Sequence, residues 1–175
     1  MILVQLFEAI AKLEKAEHGM GMTSYQNDDI LLAGGTRSGN SDADHTRLKY
    51  IVYDIKGLSK EEFQEKQNEH ERGFIEVFVK DSNGEIDGLV NIMLKPKFRK
   101  GGYGKMIIKS LMKTVKGDLK IFDIKPSALS FWKKMGVSEW YGVSDFSESS
   151  KHDSPTSKQL TYYAKRHSLY GIIPK

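Results

Sequence analysis

The sequence predicts an α/β protein with a mixed central sheet flanked by helices, and three observations carry that prediction. Apolar residues recur at helical spacing in two places, at Leu3, Phe7, Ile10 and Leu13 and again at Ile107, Ile108, Leu111, Met112 and Val115. Between them lie short apolar runs rich in Val, Ile and Phe, the composition of strands. Two of these runs flank Asn83-Gly84, the strongest short-range signal for a hairpin. A hairpin needs antiparallel pairing and helical crossovers need parallel pairing, so the sheet is expected to contain both.

Taken in order, the first amphipathic stretch is expected as a helix that ends near Gly19 and Gly21. Residues 34–46, "GGTRSGNSDADHT", are polar and glycine-rich and are expected as a mobile loop. "RLKYIVYDI" alternates as a strand does, and "SKEEFQEKQNEHE" reads as a charged helix with Ser59 as its N-cap. The hairpin occupies "GFIEVFVKDSNGEIDGLVNIMLK", with its second strand at about residues 86–94. A helix then opens at Gly104 and closes at Gly117, "DLKIFDI" forms a third strand, and "SALSFWKKMG" forms a short helix closed by Gly136. After a Ser/Lys/Asp-rich loop, "LTYYAKRHSLYGII" is expected as a final strand.

A chain of 175 residues with 39% apolar content is expected to make one domain over residues 1–175. The net charge of +4 tilts toward a phosphate-bearing ligand or nucleic acid and compels neither. With no cysteine there is no disulfide framework, thiolate metal site or cysteine nucleophile, and a reducing compartment is compatible. The N-terminus lacks a basic leader, and no run approaches the ~20 apolar residues that span a bilayer. The expectation is therefore a soluble cytoplasmic protein with no membrane partner. Oligomeric state is not legible.

The most informative stretch is "LKPKFRKGGYGKMIIKSLMK", which gathers Arg99, Lys100 and Lys105 around Gly101, Gly102 and Gly104 where a helix begins. The first N–H groups of a helix have no internal partner and carry partial positive charge, so a lysine there costs ~0.3–1 kcal/mol unless an anion offsets it. Glycines remove side chains and let backbone amides close on phosphate oxygens. A P-loop and a dinucleotide fingerprint both require spacings that this stretch lacks. What is present is an apolar strand, Pro96, Phe98 and Arg99-x-x-Gly102-x-Gly104, opening into an amphipathic helix. That arrangement resembles motif A of the GNAT N-acetyltransferase superfamily, whose loop holds the pyrophosphate of acetyl-CoA. Farther on, "ALSFWKKMGV" at residues 128–137 is similar to motif B of the same superfamily. The resemblance covers residues 73–137 well and the remainder only in its coarse order of elements.

The resemblance implies the GNAT fold, acetyl-CoA as acyl donor, and direct transfer to an unidentified amine of a small molecule, protein or other acceptor. It implies that Ile92, Met93 and Leu94 run beside the pantetheine arm, with the Leu94 N–H polarising the thioester carbonyl. Arg99, Lys100, Gly101, Gly102, Tyr103 and Gly104 would cradle the pyrophosphate with Lys105 close by. Ser127, Phe131 and Trp132 would flank the pantetheine and sulfur, or the two aromatics are simply core.

Transfer also calls for a base and an acid. The superfamily often places a tyrosine in the motif B aromatic pair, which here is Phe131-Trp132, and a glutamate on the strand before motif A, where this chain offers Asp87 and Asn91. Asn91 cannot take a proton, and orients substrate or water or is an ordinary strand residue. Asp123 is the other carboxylate near the expected cleft and reads more simply as a strand-end ion pair, and Tyr141 or the Tyr162-Tyr163 pair would supply the missing acid. His45 suggests a metal or base but reads more simply as a solvated loop residue, and no metal site is expected. Two alternatives stand beside the acyltransferase: a protein that modifies or binds nucleic acid through a ridge of Lys105, Lys109, Lys113 and Lys116 with Lys165, Arg166 and His167, and a non-catalytic coenzyme A-binding relative.

Overall fold

Alternating apolar and polar residues build the strands, and the computed structural model, which describes residues 25–26, 29–39, 44–142, 150–152 and 154–175, joins them in one sheet. The elements are β1 (Tyr25–Gln26), β2 (Ile30–Arg37), β3 (His45–Asp54), α1 (Lys60–His70), β4 (Glu71–Lys80), β5 (Ile86–Leu94) and α2 (Tyr103–Thr114). They continue with β6 (Leu119–Ile121), α3 (Leu129–Lys134), β7 (Glu139–Gly142), β8 (Ser150–His152), α4 (Ser157–Lys165) and β9 (Leu169–Ile173). The sheet order is β1-β2-β3-β4-β5-β6-β9-β7-β8. Among the described residues only β5 and β6 pair in parallel; the other neighbours are antiparallel. The protein is thus a mixed α/β structure, as the hairpin and crossover signals require.

Both faces of the sheet are buried under helices. On β2, Ile30 and Leu32 join the larger core with Ile107, Ile108 and Leu111 of α2 and Leu160 and Ala164 of α4. Leu31 and Ala33 face the other way and join Tyr53, Ile55 and Phe63 beneath α1. Phe63 is the buried anchor of that charged helix, and Ser59 caps it through a reciprocal box with Glu62.

Three expectations need correction or lie elsewhere. The loop expected at residues 34–46 is shorter, because β2 continues to Arg37 and β3 begins at His45. Gly34 and Gly35 sit at a bulge in β2, Gly34 at φ 94°, and a Cβ on Gly35 would lie 3.1 Å from the buried Tyr50 ring, so Gly35 admits an aromatic ring and the pair does not end the strand. The expected final strand divides into α4 and β9, because Thr156 and Gln159 form a capping box and Leu160 and Ala164 bury at helical spacing, overriding the β-propensity of Thr161, Tyr162 and Tyr163. The helix expected near residues 3–13 lies outside the described residues.

The feature that positions the site is a split in the sheet. β5 pairs with β4 along its whole length, yet with β6 only at Gly88 and Leu89. β5 carries extra residues at two register shifts, where Asp87 and Val90 have no partner on β4. Such bulges bend a strand and increase its twist, which carries residues 91–94 away from β6.

Candidate functional site

The end of β5 presents one open edge. Leu94 lies opposite Gly73 and Met93 opposite Phe74, while the Lys95 N–H donates to the Arg72 carbonyl at 2.9 Å. Antiparallel pairs alternate between exchanging two hydrogen bonds and exchanging none. Arg72–Lys95 and Phe74–Met93 are therefore bonded pairs, and Ile92 and Leu94 turn their N–H and C=O groups toward the split. The Leu94 carbonyl accepts from Arg99 Nε at 3.0 Å on that side, which ties the glycine loop to the strand. Arg99 Nη2 also reaches Met93 Sδ at 3.8 Å.

The loop itself follows a short 3₁₀ turn, Pro96–Phe98. Lys100 has φ 63° and Gly102 φ 83°, so the chain turns sharply just before α2. Gly102 caps α2 with no side-chain hydrogen bond, the first turn contains no acidic residue, and a Cβ on Gly102 would meet nothing within 4 Å. Beneath the loop, the buried Arg72 guanidinium lies 4.3 Å from the Phe98 ring centroid and 5.0 Å from that of Tyr103. Arg72 also bonds Asp54 at 3.0 Å and the Glu69 carbonyl at 2.8 Å. The sequence reading missed Arg72, whose signal was only an arginine opening an otherwise apolar strand.

A groove of about 520 Å³ runs along this edge, lined by Ile92, Met93, Leu94, the loop, Phe131 and Met135. Its charged lining residues are Arg99, Lys100, Lys105 and Lys134, with no carboxylate among them. Gly104 belongs to it because of its neighbour: a Cβ there would lie 3.2 Å from the Phe131 ring. Gly101 and Tyr103 complete the turn, Tyr103 packing against Phe98 at 5.3 Å.

A second groove of about 420 Å³ opens between β5 and β6 and shares Ile92 with the first. Arg47, Val90, Asn91, Phe122, Asp123, Lys125, Ser127, Ala128 and Trp132 also line it. Ser127 and the buried Trp132 thus belong to one groove and Phe131 to the other. Asn91 Nδ2 donates to Glu76 Oε2 at 3.1 Å, and Arg47 Nη2 donates to the same oxygen at 2.9 Å. Burial works against the Glu76 carboxylate, but the hydrogen bonds from Arg47 and Asn91 and the Arg47 charge outweigh it and hold Glu76 below the usual carboxylate range. Glu76 and Arg47, on β4 and β3, were not found from sequence because only the strand register brings them to Asn91. Asp123 has φ 49°, accepts from Lys125 Nζ at 2.6 Å and faces His167 Nδ1 at 3.0 Å.

The remaining candidates stand away from the grooves. The Tyr141 hydroxyl donates to Glu139 at 2.7 Å, its ring stacks on Tyr170 at 4.8 Å, and it lines neither groove. The hydrogen bond to Glu139, with burial, raises the Tyr141 pKa above its ordinary value. Tyr162 is exposed beneath Arg166, and Tyr163 packs at Gly142. Asp87 is the centre of a charge cluster with His45 (3.3 Å), Lys80 (3.3 Å) and Lys120 (2.8 Å). Among the described residues no three His, Asp or Glu side chains converge as a metal site requires. The expected lysine ridge is interrupted, since Lys113 on α2 pairs with Asp29 and Lys116, beyond the end of the helix, pairs with Glu85.

No family model matches the chain, and no curated protein matches it. No helix among the described residues is long and apolar enough to cross a membrane.

Proposed function

We propose that this protein is an acyl-CoA-dependent N-acyltransferase of the GNAT type, which takes an acetyl group from acetyl-CoA and passes it directly to an amine. The observation that carries this reading is the open edge of β5, Ile92 and Leu94, running into a glycine turn with no side-chain cap, whose groove has cations as its charged lining residues and no carboxylate. A pantetheine arm carries amide groups that an unpaired strand edge can bond. A pyrophosphate suits N–H groups at a helix start, where the dipole favours negative charge.

In this reading Leu94 N–H is the donor aimed at the thioester oxygen, and a backbone donor of this kind stabilises the oxyanion as it forms. Arg99, bonded to the Leu94 carbonyl, holds the loop against the strand and contributes charge at the phosphates. Residues of the second groove face the acceptor. Holding both reactants where the grooves meet at Ile92 supplies rate through orientation alone.

Calorimetry with coenzyme A tests the donor half. The Arg99→Glu/Gly102→Glu double variant reverses charge at the cradle and fills the open turn, and is expected to weaken binding at least a hundredfold while the fold, followed by circular dichroism, persists. Unchanged affinity would sink the assignment. Release of free thiol from acetyl-CoA in the presence of amines tests the transfer. The pairing of Tyr141 with Glu139 favours a second reading, a non-catalytic coenzyme A binder; binding without thiol release on any acceptor would select it.

A further inference from the structure

Among the described residues only one charged residue is buried, Arg72, with 8% of its surface exposed. A buried ion pair is a weak source of stability, because desolvating both charges offsets much of their attraction and apolar side chains of like volume often serve as well. Asp54 at the end of β3 accepts from Arg72 Nη2, and the Glu69 carbonyl of α1 accepts from Nη1. The buried Nε makes no hydrogen bond among the described residues. Stability alone does not account for an arginine at this position.

Its place beneath the glycine turn does. The Arg72 carbonyl accepts from the Lys95 N–H, where β5 passes into the turn, so its main chain fixes the start of that segment. Its guanidinium reaches under the turn to lie 4.3 Å from the Phe98 ring centroid and 5.0 Å from that of Tyr103. The two rings meet edge to face at 5.3 Å and bracket residues 99–102. Tyr103 also packs against the turn itself, since a Cβ on Gly101 would lie 3.6 Å from its Cδ2.

Within that bracket Lys100 stands at φ 63°, in the left-handed region, and Gly102 at φ 83°. A non-glycine residue keeps such a conformation only where its surroundings hold it. The rings at both ends of the segment are the anchors available, and one side chain engages both. A guanidinium suits this task because it is planar, stays charged, and can lie against aromatic rings while its outer nitrogens remain hydrogen-bonded.

We propose that Arg72 is a positioning residue for the donor loop: by holding Phe98 and Tyr103 it sets residues 99–102 in their anion-binding form before coenzyme A arrives. Arg72 does not line the groove. It acts by removing the ordering cost that a loose loop would impose on binding. The inference rests on the acyltransferase reading, which assigns this turn to the pyrophosphate.

The test compares wild type with Arg72→Met, Phe98→Leu, the double variant and Arg72→Lys, each titrated with coenzyme A by calorimetry. Each of the first two is expected to weaken binding about tenfold, a loss of the size that desolvated cation–π contacts supply. The double variant is expected to bind no more weakly than either single one, because both remove the same clamp. Arg72→Lys, which keeps the charge and loses the planar fork, is expected to fall between wild type and Arg72→Met. In the unliganded variants, NMR order parameters at residues 100–103 are expected to drop while those of β4 and β5 stay at rigid values. Phe98→Leu leaves the Arg72–Asp54 pair in place, so it decides the matter if Arg72→Met fails to fold. Unchanged affinity in either folded single variant overturns the inference, and so do additive losses in the double variant. Strands that loosen as much as the turn overturn it too, since that is the mark of a merely structural arginine. If wild type itself does not bind coenzyme A, the acyltransferase reading fails and the positioning role fails with it.

Discussion

At the scale of single residues, Asp87 illustrates how a candidate base is removed from that role by its partners. It opens β5, where the sequence offers a carboxylate near the expected cleft, yet Lys80, Lys120 and His45 all converge on it. Burial raises its pKa, but the hydrogen bonds and charges of Lys120 and Lys80 outweigh burial and set it below the ordinary value of 3.8. A carboxylate held so low is a poor proton acceptor near neutrality and a contributor to stability instead. Because its folded pKa is depressed, that contribution is complete above the unfolded value and disappears as pH falls through the folded one. Asp87→Asn is therefore expected to destabilise the protein by about 1–3 kcal/mol at pH 7. The difference from wild type, read from urea unfolding, should shrink steadily below about pH 4, in the region of the unfolded carboxylate pKa. A difference that stays constant down to pH 3 would mean that the lost interaction is not ionic.

At the scale of elements, β5 makes a prediction that follows from its alternation. Met93 exchanges hydrogen bonds with β4, while Ile92 and Leu94 face the split, where β6 no longer pairs. If a pantetheine arm lies along that edge, coenzyme A should slow amide hydrogen exchange at Ile92 and Leu94 several-fold and leave Met93 nearly unchanged. Uniform slowing along residues 92–94 would indicate general stiffening in place of an added hydrogen-bonded partner. This edge was only partly legible in the sequence. The apolar run, the hairpin and the glycine turn were plain because each depends on neighbours in the chain. The register shifts that leave Asp87 and Val90 unpaired depend on β4, and no local pattern announced them. The same division explains β2 and α4: Gly34-Gly35 reads as a loop until Tyr50 is seen beside it, and the β-formers around Tyr162 mislead until Thr156 and Gln159 are seen to cap a helix.

For the whole molecule, the sheet is two halves, β1–β5 and β6–β9, whose backbone pairing at the junction is confined to Gly88 and Leu89 on β5, opposite Lys120 and Ile121, with the Phe122 N–H donating to the Leu89 carbonyl. A Cβ on Gly88 would lie 2.4 Å from the Phe122 ring, so this glycine lets the ring cross the seam. Phe122 then continues a chain of ring contacts, from Phe78 at 5.3 Å to Tyr170 at 6.1 Å and on to Tyr141. The glycine turn and the block at residues 128–137 were readable because each is contiguous, whereas the second groove draws Arg47, Asn91 and Asp123 from three strands or their ends, and no local pattern announced that they meet. A ligand seated along the seam touches residues of both halves, including β5, the α2 turn and α3. Coenzyme A at a hundred times its dissociation constant should thus add about 2.7 kcal/mol to the folded state. For a chain of this size each kcal/mol moves the midpoint by roughly 2–4 °C, so the expected rise in Tm is about 5–10 °C. The rim of Arg99, Lys100, Lys105 and Lys134 has no carboxylate to offset it, so raising salt from 0.05 to 0.5 M should screen the attraction and cut the shift at fixed ligand concentration. Scanning calorimetry at both salt concentrations decides the matter. A shift that ignores salt would argue that the phosphates lie away from the cationic rim, and the absence of any shift would argue that the seam is not where coenzyme A binds.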